Sequence, residues 1–112
     1  MKFTASEQHG VVVLALDGNV LGGPEATALN EELHRLIDQR KYNVVVDLSQ
    51  VSLMNSSGLG MLIGGYTTIQ NAGGMLKIAC ANEKVRNLIA ISKLTNLFTF
   101  HPNIDAAIAS FF

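Results

Sequence analysis

The run Val44-Val45-Val46-Asp47-Leu48-Ser49-Gln50-Val51-Ser52-Leu53-Met54-Asn55-Ser56-Ser57-Gly58-Leu59-Gly60 decides how the chain is read. Its first five residues are almost continuously apolar and short. A strand half-exposed to water would alternate, so this pattern predicts a strand buried on both faces, as in the middle of a parallel sheet. Residues 49–55 form a connection, and a helix is expected over residues 57–72, stopped by Gly73-Gly74. A parallel strand feeding a helix is half of a βαβ unit, so the rest of the chain should repeat it.

It does so in both directions. Upstream, residues 3–6 and 11–16 are β-type runs separated by Glu7-Gln8-His9-Gly10, which predicts a hairpin. Pro24 suits the first position of a helix in which Leu29, Leu33, Leu36 and Ile37 recur at helical spacing. Downstream, residues 75–81 predict a strand. Asn82 can cap a helix carrying Val85, Leu88 and Ile89. Residues 97–100 predict another strand, and Asn103 a last helix with Ile104, Ala107, Ile108 and Phe111 on one face. The expected order is ββαβαβαβα. This is an α/β fold with a mainly parallel sheet, right-handed crossovers, an antiparallel N-terminal edge hairpin and helices packed on it. In such sheets, binding sites lie at the carboxyl ends of the strands, and the serine loop is at one of these.

The bulk numbers agree with one domain over residues 1–112, with 48% hydrophobic and 15% charged residues. A net charge of −1 and a pI near 6.2 supply no basic field for phosphate backbones, so direct nucleic-acid binding is not expected. No apolar run approaches the roughly 20 residues of a membrane span. With no signal-peptide pattern and a lone cysteine, Cys80, a cytoplasmic location is expected.

Placing the helix residues at about 100° intervals puts Leu59, Leu62, Ile63, Tyr66 and Ile69 on one face. The other face holds Ser57, Gly60, Met61, Gly64, Thr68 and Asn71, with Gly65 at its margin. Each interior glycine costs about 1 kcal/mol relative to alanine. Either the glycines admit close packing within the domain, or the smooth face docks a partner with Met61 as an apolar contact. Ser56 has two readings as well. It can be the N-cap of the helix, or it can accept a phosphate, which the helix N-terminus would tolerate.

Other chemistry finds no pattern. Gly58-Leu59-Gly60 is not followed by a third glycine at dinucleotide spacing, because Ile63 stands there. Neither serine has the glycine two positions before it that a nucleophile elbow requires. His9, His34 and His101 lack metal-ligand spacing. Cys80 is expected as a small core residue and Asp47 as a carboxylate that tethers a loop. No catalytic residue, metal or cofactor is expected.

The strand ending in Asp47-Leu48-Ser49, the run Met54-Asn55-Ser56-Ser57-Gly58-Leu59-Gly60, and Ala72-Gly73-Gly74 before the next strand resemble the STAS domain family, the bacterial anti-sigma factor antagonists. The resemblance spans nearly the whole chain. It implies a non-enzymatic module that binds an anti-sigma factor acting also as a serine kinase, with Ser56 as phosphoacceptor and a phosphatase to reset it. It also implies a docking face comprising Asn55, Ser57, Gly58, Gly60, Met61, Gly64 and Leu21. Two positions depart from the family pattern. Asn55 replaces an Asp, and Gly18-Asn19-Val20-Leu21 replaces a Gly-Glu-Leu-Asp type sequence, so two carboxylates near the docking site are absent. A constitutive interaction or scaffold module without a phosphate cycle is the alternative. A free chain of this length argues against a transporter tail.

Overall fold

The computed structural model describes residues 1–92 and 97–112. Among these described residues, nine elements follow in order: β1 (Lys2–Gln8), β2 (Val11–Asp17), α1 (Pro24–Asp38), β3 (Asn43–Gln50), α2 (Ser56–Asn71), β4 (Met75–Ala79), α3 (Glu83–Ile91), β5 (Phe100–His101) and α4 (Ile104–Ala109). The expected ββαβαβαβα order is observed. The strands lie in the sheet in the order β1-β2-β3-β4-β5. β1 and β2 are antiparallel and every later pair is parallel.

Sequential strand order has a consequence. Each right-handed crossover steps the sheet in the same direction, so all three crossover helices fall on one face. The core divides accordingly. Leu29, Leu33 and Leu36 of α1, the apolar stripe of α2, and Val85 and Ile89 of α3 cover Val12, Leu14, Val44, Val46 and Ile78. Val11, Val13, Val45 and Ala79 point the other way, against Ala107 and Ile108 of α4. Residues 44–48 are all buried, as expected of a strand covered on both sides.

Several boundaries differ from the expectation. β1 extends to Gln8, leaving only His9 and Gly10 for the turn. β5 is two residues rather than residues 97–100. Phe98 leaves the strand direction to bury its ring in the core, edge-on to Tyr66 at a centroid distance of 5.6 Å. Thr99 contributes only a carbonyl, accepting the Ile78 N–H at 3.0 Å. Among the described residues, no helix is long and apolar enough to cross a membrane.

Candidate functional site at the start of α2

The connections after β2, β3 and β4 leave neighbouring strands on the same edge of the sheet, and backbone bonds join them. Val20 pairs with Met54 in an isolated parallel bridge. The Val20 N–H donates to the Leu53 carbonyl at 2.9 Å, and the Asn55 N–H donates to the Val20 carbonyl at 3.3 Å. The connection after β4 is tied in by Asn82. Its Oδ1 accepts the Val85 N–H at 2.9 Å, capping α3. Its Nδ2 donates to the carbonyls of Val51 and Ser52, each at 3.1 Å. The capping role is visible in sequence, but the second role, across 30 residues, is not.

Asn55, not Ser56, caps α2. Its Oδ1 accepts the Gly58 N–H at 2.8 Å, with Asn55 in extended backbone geometry. Both residue types cap helices well, and the tether from Val20 to Asn55 sets which of the two stands outside the first turn. Ser56 is then the first helical residue and is exposed, with Ser57 exposed beside it. The hydroxyl of Ser56 is not consumed by the cap. The first N–H groups of the helix and the positive end of its dipole lie at the same place.

The remaining expected contact residues divide. Leu21 is 50% exposed, and Gly60 and Gly64 are on the surface. Gly58 is buried, and a Cβ there would meet the Val20 carbonyl oxygen at 2.0 Å. Its lack of a side chain lets the loop after β2 lie against the helix. Met61 is also off the surface, with 6% exposure and membership of the core. Met61 therefore lines the groove beside Gly60 and Gly64 from within the core and does not project from the helix face. α1 packs along this side of α2, and a Cβ on Gly65 would come within 3.0 Å of Leu33 Cδ1. The close-packing reading of the glycines holds at some positions and not at others. Gly58 and Gly65 admit close packing, while Gly60 and Gly64 face open space and border a groove of about 460 Å³ with Ala26, Asn30 and Ser57.

Leu53, 49% exposed, joins Leu21 at this edge and was not among the residues expected there. A solvent-facing leucine in a loop has no sequence periodicity to mark it. Gly22 was missed as well. It has φ of +83° and sits against Ser57, where a Cβ would lie 2.9 Å from that serine's Cβ.

The other titratable groups near this edge are structural. Asp47, 7% exposed, accepts the Ser49 N–H at 2.9 Å and holds the end of β3, the tethering role expected of it. Burial, the charge of Asp47 and a hydrogen bond to it raise the pKa of the half-buried Cys80 thiol, which favours its protonated form. Among the described residues, no group of three His, Cys, Asp or Glu side chains is placed to hold a metal.

The profile of the STAS domain family matches residues 2–107. An anti-sigma F factor antagonist of Paenibacillus polymyxa is 28% identical over 99 residues, 87% of this chain and 84% of that protein. An anti-sigma factor antagonist from Mycobacterium paratuberculosis superposes with a TM-score of 0.81 at 23% identity, covering 97% of this chain and 92% of the other. The Bacillus cell fate determinant SpoIIAA in its phosphorylated form gives 0.74 at 18% identity, covering 99% and 100%. With the strand order, the serine turn and the match over nearly its full length in agreement, the chain belongs to the STAS domain family.

Proposed function

We propose that this chain is a cytoplasmic anti-sigma factor antagonist. It binds an anti-sigma factor that is also a serine kinase, and phosphorylation of Ser56 ends that binding. A phosphatase returns Ser56 to its free form, and sigma-factor-dependent transcription follows the cycle. One observation carries the reading. Asn55 does the capping, so the exposed Ser56 at the first position of α2 has a hydroxyl that can be modified without unfolding the helix.

The transfer forms a bond from Ser56 Oγ to the γ-phosphorus of ATP and breaks the bond to the bridging oxygen, releasing ADP. The hydroxyl proton passes to a base of the kinase. The new phosphate faces helix N–H groups and the dipole's positive end, which stabilise it. It also places about −1.5 to −2 charges on the docking face. Two proteins similar to this chain bear the name antagonist, and a third was solved phosphorylated. In this cycle the domain is a substrate and a binding partner, with no catalytic role of its own.

The test is intact-mass measurement after incubation with the purified anti-sigma kinase and ATP. The expected result is a gain of one phosphate that Ser56→Ala abolishes. Ser56→Asp should weaken kinase binding with stability unchanged to within about 0.5 kcal/mol. An unmodified mass, or full phosphate incorporation in Ser56→Ala, rejects the reading. The replacement of carboxylates by Asn55 and Leu21 favours a second reading, a constitutive interaction module. Stable capture of a non-kinase partner with equal affinity for the parent and Ser56→Asp would support it.

A further inference from the structure

Residues 48–76 contain no Asp, Glu, Lys, Arg or His, and neither do residues 18–24. These two segments supply the whole of α2 and the two loops that meet at its start. Of the charges that adjoin them, exposed Asp17 stands opposite Lys2 of the other sign in the β1–β2 pair. Glu25 pairs with the N-terminal ammonium at 2.7 Å, and Asp47 is buried. Next to Asn82, Glu83 and Lys84 have opposite signs. Within this neutral surface stand two exposed leucines, Leu21 and Leu53. Leu21 lies between Val20, which is bonded to Asn55 and Leu53, and Gly22, which abuts Ser57. Both leucines thus lie on the two loops that meet at the start of α2, where Ser56 stands.

A kinase that reaches the Ser56 hydroxyl must cover these leucines. A charged patch on that kinase would lose its hydration here and find no opposite charge in return. We propose that Leu21 and Leu53 anchor the kinase through an uncharged, apolar contact, so that recognition is set by apolar burial rather than by charge pairing. This rests on the kinase reading above. Phosphorylation would then act by placing the one strong charge into a neutral contact, where desolvation opposes it. Repulsion between like charges would play little part, and added salt would not restore binding of the phosphorylated form.

Surface plasmon resonance against the purified anti-sigma kinases of the source organism, at about 50 and about 500 mM NaCl, tests this. The expected association rate changes by less than about threefold across that range, since steered encounters fall steeply with salt and neutral ones do not. Leu21→Ser and Leu53→Ser should each weaken Kd by about tenfold. Both sites are exposed, and circular dichroism with urea unfolding checks that the fold is kept. An association rate that falls more than about tenfold with salt, or a double variant that binds within about twofold of the parent, overturns the inference. Either result, obtained while Ser56 still accepts phosphate, leaves the kinase reading standing. Absence of binding at both salt concentrations, with no phosphate on Ser56, overturns both.

Discussion

Four glycines of α2 undergo the same substitution in very different surroundings, and their responses to alanine should differ in sign. At Gly58 the added Cβ would lie 2.0 Å from the Val20 carbonyl oxygen and 2.7 Å from its carbon. Restoring ordinary contact near 3.4 Å requires a separation of about 1.4 Å between two pieces of backbone. Neither can yield by a rotamer change. The movement strains the Asn55 N–H bond to Val20, already 3.3 Å long, and the adjoining bridge to Met54. Overpacking costs about 1–3 kcal/mol and a lost buried hydrogen bond about 1 kcal/mol. Gly58→Ala should therefore destabilise by about 3 kcal/mol, a large share of the 5–15 kcal/mol typical of a domain. At Gly60 and Gly64 a Cβ meets nothing within 4 Å. Only the helix propensity changes there, so each alanine should stabilise by about 1 kcal/mol. Gly65 falls between them, because its neighbour at 3.0 Å is the end of the Leu33 side chain, which can move. Urea unfolding of the single variants measures all of this. A Gly58→Ala variant within about 1 kcal/mol of the parent, or a Gly60→Ala variant less stable than the parent, would refute the packing argument.

Replacing the Asn55 cap should act through one hydrogen bond. Asn55→Ala is expected to lose about 0.5–2 kcal/mol, whereas Asn55→Asp keeps an acceptor and gains about 0.3–1 kcal/mol from the dipole. Equal stability of the alanine variant in urea unfolding would show that the cap carries little weight. His101 gives a pH prediction. Its Nε2 is buried without a hydrogen-bond partner among the described residues, and burial first, then Lys77, push its pKa below the ordinary 6.5. The unfolded chain therefore binds the proton first. The His101 contribution to stability is complete above pH 6.5 and is lost as pH falls below it toward the folded pKa. Urea midpoints measured from pH 8 to 5, at about one-unit steps, should decline less in His101→Asn. A ring titration by NMR at or above 6.5 contradicts the assignment.

Much of the architecture was legible locally. The unbroken apolar run at residues 44–48 marks a strand without a solvent face, because no polar residue alternates in it. Pro24 stands where a helix can accept it, and α1 begins there. Leu59, Leu62, Tyr66 and Ile69 fall at helical spacing and are all buried, although Ile63 at the edge of that stripe is only half-buried. Asn82 and Asn103 cap the helices expected of them. Phe98 misled because a β-type run does not tell whether its residues pair or turn inward.

What the sequence determined by itself is the alternation of strands and helices, the antiparallel first pair and the neutrality of the serine turn. These depend on periodicity, on the composition of neighbouring residues and on the absence of charge, all of which are local. Tertiary structure alone decided that Asn55 rather than Ser56 caps α2, that Met61 is buried in the core, and that Gly58 makes room for Val20. It also brought Leu21 and Leu53 to the same edge, from segments more than thirty residues apart. Each of these turns on a contact with a distant segment, and no helical spacing around Ser56 can specify what lies across from it.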